Sequence, residues 1–471
     1  MSKQQLFIVT FLLSGCLPSL ADNPSRDVSK AVPKAFREDV EMKAEDNIAQ
    51  KNWKDFFVNP ELQGLIEQAL KNNQELNIRL QEIIIAQAEI GARRGEYFPK
   101  LGAGLGAGID KVGGTTARGY ADAATGVPEN LGNFGFGLRA SWEVDIWGKL
   151  HNAASAADQR YLAAIEGKNF MVTELVAEIA RSYYELIALD NQLEVLNRNI
   201  KIQTDALEVV QLQKQAARVT ELAVQRFEAE VLKNKSRLFE LEQERVFAEN
   251  RINFLVGRFP QHVGRKPESL NDPLPAVIQS GLPSQLLENR PDVRQAEREL
   301  EASKLDVDVA RKNFYPSLSI DAAVGYNSFN ITHLINTPES IFYNLAGNIL
   351  APLLNRAGIE AQYRSANAHQ IQAVFNYERT LLQAYTDVVN QLLKFENLNK
   401  GFALRQQQVD VLARSVDVSN TLFQSARADY MEVLLTRRDS LDAELELIET
   451  KKQLLHAMVN LYEALGGGWR S

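Results

Sequence analysis

The strongest constraint on this chain is where it lacks helix breakers. Residues 168–256, 359–400 and 402–465 contain neither glycine nor proline. No proline occurs between Pro128 and Pro260, or after Pro352. Such stretches favour very long helices. Apolar residues recur within them at gaps of three and four, as in Val172, Leu175, Val176, Ile179, Tyr183, Leu186, Ile187, Leu193, Leu196 and Ile200. That spacing is coiled-coil-like. One helix from Lys149 to about Lys214 would be roughly 100 Å long. Helices of that length pack as bundles, coiled coils or tubes. The two hairpin turns are expected near Gln215–Leu222 and Ser425–Val433, each bisecting a breaker-free region.

Glycine concentrates in 91–148, where the period changes to two. Leu101, Ala103, Leu105, Ala107 and Ile109 alternate with Gly102, Gly104, Gly106, Gly108 and Asp110. Phe134, Phe136, Leu138, Ala140, Trp142 and Val144 alternate with Gly135, Gly137, Arg139, Ser141, Glu143 and Asp145. This predicts strands with one greasy face and one small or polar face. A half-buried soluble sheet would alternate as well. Two details favour a membrane barrel: each run has the length of a tilted membrane strand, and Tyr97, Phe98, Trp142 and Trp147 bracket the runs as an interfacial girdle would.

The chain also repeats. Shifted by 217, residues 64–101 lie over 281–318 without a gap, with nine of 38 positions identical, among them Gly64/Gly281, Asn72/Asn289 and Pro99/Pro316. Alternation returns after Pro316 in Leu318, Ile320, Ala322, Val324 and Tyr326, and a weaker strand runs from about Ile341 to Ala351. Later helices match at a changed offset, with Glu221 and Arg226 over Glu432 and Arg437, then Gly257 over Gly466. Each repeat therefore reads as a helix, a strand pair and a long helical hairpin. Four strands cannot close a membrane barrel, and an open edge in lipid leaves backbone groups unpaired. Several chains must share one barrel; three chains of four strands would supply 12.

The fold class expected is an α+β membrane protein with two structural repeats, long coiled-coil hairpins and four transmembrane strands per chain. Its trimer would form a 12-stranded β-barrel with a tube of long helices below it. The divisions are 1–15 as signal peptide, 16–50 as tether, 51–257 as first repeat (strands about 99–147), 258–283 as a Pro-rich linker and 284–469 as second repeat (strands about 316–351). The signal reading rests on Lys3, on the short apolar run Leu6 to Leu13, and on Leu13-Ser14-Gly15-Cys16, which resembles a bacterial lipobox. Cys16 is the single cysteine and the expected lipid attachment site. Leu17 follows it, not the aspartate that retains lipoproteins in the inner membrane, so the destination implied is the outer membrane.

Composition excludes other classes. No apolar run reaches the ~18 residues of a membrane helix. Net charge is −8, against a nucleic-acid partner. His151, His262, His333, His369 and His456 are scattered, so neither a metal site nor a cofactor is expected. No nucleophile–base pair or phosphate loop stands out, which argues against an enzyme. The alternative to a duct is a periplasmic coiled-coil scaffold without transport, for which glycine-faced strands have no use.

The sequence resembles the outer membrane efflux protein family, the TolC-like channels, in its lipoprotein branch serving resistance-nodulation-division pumps. The resemblance is carried by Trp53, Phe57, Pro60, Leu62, Leu65-Ile66, Ala69-Leu70, Asn73 and Leu76. It continues in Ser141-Trp142-Glu143-Val144-Asp145-Ile146-Trp147-Gly148-Lys149-Leu150. It is sharpest in Gly281-Leu282-Pro283-Ser284 and Arg290-Pro291-Asp292-Val293-Arg294-Gln295-Ala296-Glu297. It implies a homotrimeric exit duct, with a 12-stranded β-barrel in the outer membrane lipid and an α-helical periplasmic barrel, docked on a periplasmic adaptor and an inner-membrane efflux pump. It also implies a pore closed at the second hairpin by an apolar ring, an acidic ring one turn on and an arginine. Met431 matches the apolar ring and Arg438 the arginine, but the acidic position holds Leu435. Asp429 or Glu432 would then supply the negative charge. The other reading makes the tips adaptor contacts: Ala217, Arg218, Thr220 and Glu221 in the first hairpin, Ala426, Arg427 and Tyr430 in the second.

Overall fold

The computed structural model describes residues 26–29, 31–36, 47–266, 281–354, 356–425 and 427–470. Cys16, the signal segment, Ala426 and linker residues 267–280 lie outside the described residues. Helices α1 (Pro60–Asn72) and α2 (Gln74–Gly95) precede β1 (Lys100–Lys111), α3 (Ala117–Ala124) and β2 (Asn130–Val144). A hairpin of α4 (Lys149–Gln215) and α5 (Glu221–Leu255) follows. The second half runs α6 (Pro291–Lys312), β3 (Ser317–Ser328), β4 (Ile341–Leu350), α7 (Ala357–Gln424) and α8 (Tyr430–Ala464). Helices α4 and α7 have 67 and 68 residues, α5 and α8 have 35 each, and α2 and α6 have 22 each. The repeat is thus kept in element lengths well beyond the stretch where residues match. The offset is 209 at both ends of α5 and α8 and at Gly257/Gly466. Glu221 therefore corresponds to Tyr430, not to Glu432; an alignment by charge slips two residues because little else distinguishes positions on a solvated helix face.

The chain divides into two compact units. One holds Ile83–Ala163 and Ala296–Tyr377, with the sheet. The other holds Ser29–Glu82, Ala164–Gln295 and Glu378–Ser471. The core of the second is built on the apolar stripe of α4: Leu175, Ile179, Tyr183, Leu186, Ile187 and Leu196 are fully buried, together with Phe57, Leu62, Ile66, Ile252 and Tyr462. Thr173, Ala177 and Ser182 on α4 are buried too, so the covered face is wider than a two-stranded coiled-coil seam.

Both repeats solve one problem at the end of the returning helix, whose last carbonyls have no helical partner. In the first, Asn73 Nδ2 donates to Leu255 O at 2.8 Å. In the second, Arg290 Nη1 donates to Ala464 O at 2.9 Å. These pairs sit at the repeat offsets of 217 and 209. Gly257 and Gly466 follow with φ of +77° and +86°, and a Cβ there would meet the Asn72 and Asn289 carbonyl oxygens at 2.4 and 2.5 Å. Only glycine turns the chain so close to that backbone.

The expected loose segments are partly docked. Within the sheet-bearing unit, the Arg26 guanidinium lies 4.4 Å over the Phe375 ring. Within the other, Phe36 is buried and stacks on Tyr385, whose hydroxyl donates to Ala35 O at 3.2 Å. Of the linker, residues 258–266 are anchored: Val263 is buried and Arg265 pairs with Asp190 and Glu249. The expected strand block 99–147 also contains α3, begun by Thr116, whose Oγ1 accepts from Gly119 N at 3.1 Å.

Candidate functional site

The first candidate is the sheet, antiparallel in the order β1-β2-β3-β4. Its register carries the alternation across all four strands. Leu105 pairs with Phe136, Phe136 with Tyr326 and Tyr326 with Ile341, all on one face. One residue along, Gly104, Gly137, Gly325 and Phe342 form a row on the other face, beside the row Gly102, Arg139, Ala323 and Asn344. The apolar face has no cover among the described residues: Leu101, Leu105, Ile109, Tyr343, Leu345 and Ile349 are exposed. Strands β1 and β4 each keep one unpaired edge among the described residues. Glycines differ in role. Gly104 has open space where a Cβ would stand, whereas a Cβ on Gly137 would lie 2.5 Å from Val324 O and one on Gly325 2.2 Å from Phe136 O. The Gly137/Gly325 pair thus lets β2 and β3 approach more closely than side chains allow.

The bracketing aromatics are pinned at the strand ends. Trp142 Nε1 donates to Tyr97 O at 2.8 Å and Trp147 Nε1 to Pro316 O at 2.7 Å. Tyr97 stacks on His151, which also meets Asp145 at 2.6 Å.

The second candidate is the pair of hairpin turns, which fall at 216–220 and 425–429 as the breaker pattern predicts. Ala217 is left-handed at φ +56°, and Thr220 caps α5 through Ala223 N. Glu221 pairs with Lys214 across the turn. Arg218 and Arg427 are exposed, their backbone N–H groups closing the turns onto Gln213 O and Leu422 O. Asp429 occupies the cap position of α8 without a side-chain cap bond and is exposed. Tyr430 packs beside Leu434 on Val210, Val224 and Phe227, so the tip of the second hairpin leans on the tip of the first. Met431 is half-buried and its sulfur accepts from Arg226 Nη1 at 3.3 Å. Arg438 pairs with Asp439 at 3.2 Å. Leu435 and Glu432 are exposed, and neither Glu432 nor Asp429 has an ion pair among the described residues. A groove beside them is lined by Val411, Val418, Leu422 and Thr436.

The model of the family described as "Outer membrane efflux protein" matches residues 65–258 and 282–467, the two repeats in turn. The chain belongs to the outer membrane efflux protein family. It is 30% identical over 467 residues to the pyoverdine export outer membrane protein OpmQ of Pseudomonas aeruginosa, covering 98% of this chain and 97% of that one. It is 29% identical over 478 residues to the cation efflux system protein CusC of Escherichia coli, covering 98% of each. A crystal structure of CusC, reported for transmembrane channel formation, is similar with a TM-score of 0.80 at 25% identity, over 94% of this chain and 99% of that one. As a member of an outer membrane efflux family the protein acts in efflux at the outer membrane.

The structure gives Arg290-Pro291-Asp292, the sharpest sequence feature, a physical explanation. Arg290 is buried, with its guanidinium on both Asp292 oxygens at 3.0 and 2.6 Å and Asp387 at 3.6 Å. Burial opposes its charge, but these carboxylates outweigh that and raise its pKa. The residue missed at the tip is Arg437, beside the singled-out Arg438. It is half-buried, donates to Asn420 Oδ1 at 2.9 Å, and burial alone pushes its pKa down. Its only sequence signal was its earlier pairing with Arg226, because a helix face cannot be assigned without its partner helices.

Proposed function

We propose that the protein is a trimeric outer-membrane channel that carries small molecules from an inner-membrane efflux pump and its periplasmic adaptor to the cell exterior. One observation supports this most: a four-stranded sheet, apolar on one face, glycine-rich and polar on the other, with two unpaired edges. In lipid those edges require partners, and copies of the same sheet supply them. The apolar face then meets acyl chains and the glycine-rich face the lumen. Relatives named for pyoverdine export and for cation efflux support a cargo of small molecules. The Leu-Ser-Gly-Cys sequence supports diacylglycerol attachment at Cys16 as an added anchor. The hairpin tips are the narrow end of the pore in this reading, and the adaptor contact in the alternative one.

Native mass spectrometry of the detergent-extracted protein tests assembly and anchor together. Three chains are expected, each heavier by its acyl groups, and Cys16→Ala should lose that mass while remaining trimeric. Planar-bilayer recordings should then show conductance. A stable monomer with full strand content would sink the duct, and trimers that never conduct would favour a scaffold.

A further inference from the structure

Where β2, β3 and β4 meet the helices, the sheet-bearing unit holds a cavity of about 310 Å³. Glu143, Lys149, Lys312, Trp147, Tyr315 and Leu350 are among its walls. Its charges are not equally satisfied. Glu143 is held by Lys149, and Asp145 is taken by His151. Lys312, the last residue of α6, donates to Gly148 O at 3.2 Å and pairs with no carboxylate among the described residues. One ammonium thus faces the cavity outside any ion pair of the described residues. Beside it the Trp147 and Tyr315 rings lie 5.2 Å apart. The indole N–H is already spent on Pro316 O, so the ring offers the cavity only apolar surface. Leu350 adds an aliphatic wall that is 72% exposed.

We propose that this cavity binds an anionic amphiphile, its carboxylate or phosphate head on Lys312 and its apolar tail over Trp147, Tyr315 and Leu350. A cation without an ion-pair partner beside bare aromatic surface matches a molecule carrying both elements, and neither an inorganic ion nor a neutral oil satisfies both walls. Glu143, Ser317 and Leu350 stand on the glycine-rich face by register, which favours a molecule travelling in the duct; an anionic lipid of the surrounding membrane has the same chemistry. The proposal rests on the channel reading, because that reading brings amphiphiles to this face.

Trp147 is the reporter, isolated as the difference between wild type and Trp147→Phe. Bromooctanoate is added to protein in phosphatidylcholine vesicles, with bromooctanol as the neutral control. A second set of vesicles carries brominated phosphatidylglycerol. Bromooctanoate is expected to quench Trp147 at lower concentration than bromooctanol. Lys312→Gln should weaken the anionic probe about tenfold and leave the neutral one unchanged. Because Lys312 also holds Gly148, Lys312→Arg is the second variant and should keep the preference. Quenching by brominated phosphatidylglycerol that is lost in Lys312→Gln would support the site with lipid as its source. Equal quenching by acid and alcohol, or a preference that survives Lys312→Gln, would overturn it. Conductance recorded on the same samples separates the readings: a conducting protein without headgroup preference loses only this site, and a non-conducting one loses the channel.

Discussion

Arg290 shows how one side chain can justify a whole motif. It closes the end of α8, and the carboxylates of Asp292 and Asp387 make its burial tolerable. Removing one partner of a buried pair strands the other, so Arg290→Ala is expected to cost about 3–5 kcal/mol. Asp292→Ala in that background should restore part of the loss, because the orphaned charge goes with it. Urea unfolding of the four members of the cycle checks this; purely additive losses would refute the coupling. His456 gives a pH signature. Its Nε2 donates to Arg181 O at 3.0 Å, and burial, with the Lys452 and Arg181 charges, pushes its pKa from 6.5 to about 4 against that hydrogen bond and Glu449. The unfolded chain takes up this proton first as pH falls. Its contribution is therefore intact above pH 6.5 and is lost toward pH 4, by roughly 3 kcal/mol per chain. His456→Gln should flatten that part of the pH–stability curve relative to wild type. Parallel curves for the two proteins would show that His456 does not titrate there.

At the scale of elements, the sheet divides its residues by neighbour, and equal-looking positions behave differently. Leu105 and Gly104 are adjacent in β1, yet one stands on the apolar face and the other on the glycine-rich face. Leu105→Arg is expected to weaken the assembled sheet by about 2–4 kcal/mol, as charge on a lipid face does near midplane. Gly104→Ser should be nearly silent, since its Cβ has open space. Gly137→Ala should resemble Leu105→Arg in severity for another reason, the contact with Val324 O. Heat-modifiability on gels ranks the three, and equal behaviour of Gly104→Ser and Gly137→Ala would contradict the close approach of β2 and β3. Alternation made the faces legible in sequence. Which glycines are structural was not, because that depends on what the register sets opposite them.

At the scale of the whole assembly, the hairpin tips acquire meaning only when copies converge. Met431 and Arg438 already have partners in one chain, Arg226 and Asp439, whereas Asp429 and Glu432 have none among the described ionic pairs. In the proposed trimer, three copies of each carboxylate would favour cations at a narrow end and make closure sensitive to salt. Asp429→Ala with Glu432→Ala is expected to lower the cation preference in single-channel recordings. Unchanged conductance and preference, with weaker adaptor cross-linking, would place these residues in docking instead.

The amino-acid sequence by itself determined the long helices, the two hairpin turns, the four strands and the repeat. Each follows from local chemistry: absent breakers, a period of two or of seven halves, a turn where both are interrupted. Arg290-Pro291-Asp292 was legible as a pattern, but its reason was not. That Arg290 repeats the task of Asn73, that Gly137 must face Gly325, and that Lys312 stands beside an aromatic pair were decided only by the tertiary structure. The physical reason is distance along the chain. Arg290 meets Ala464 174 residues away, and Trp147 meets Pro316 169 residues away. Periodicity tells which face of an element is apolar; it carries no information about which remote backbone that face will meet.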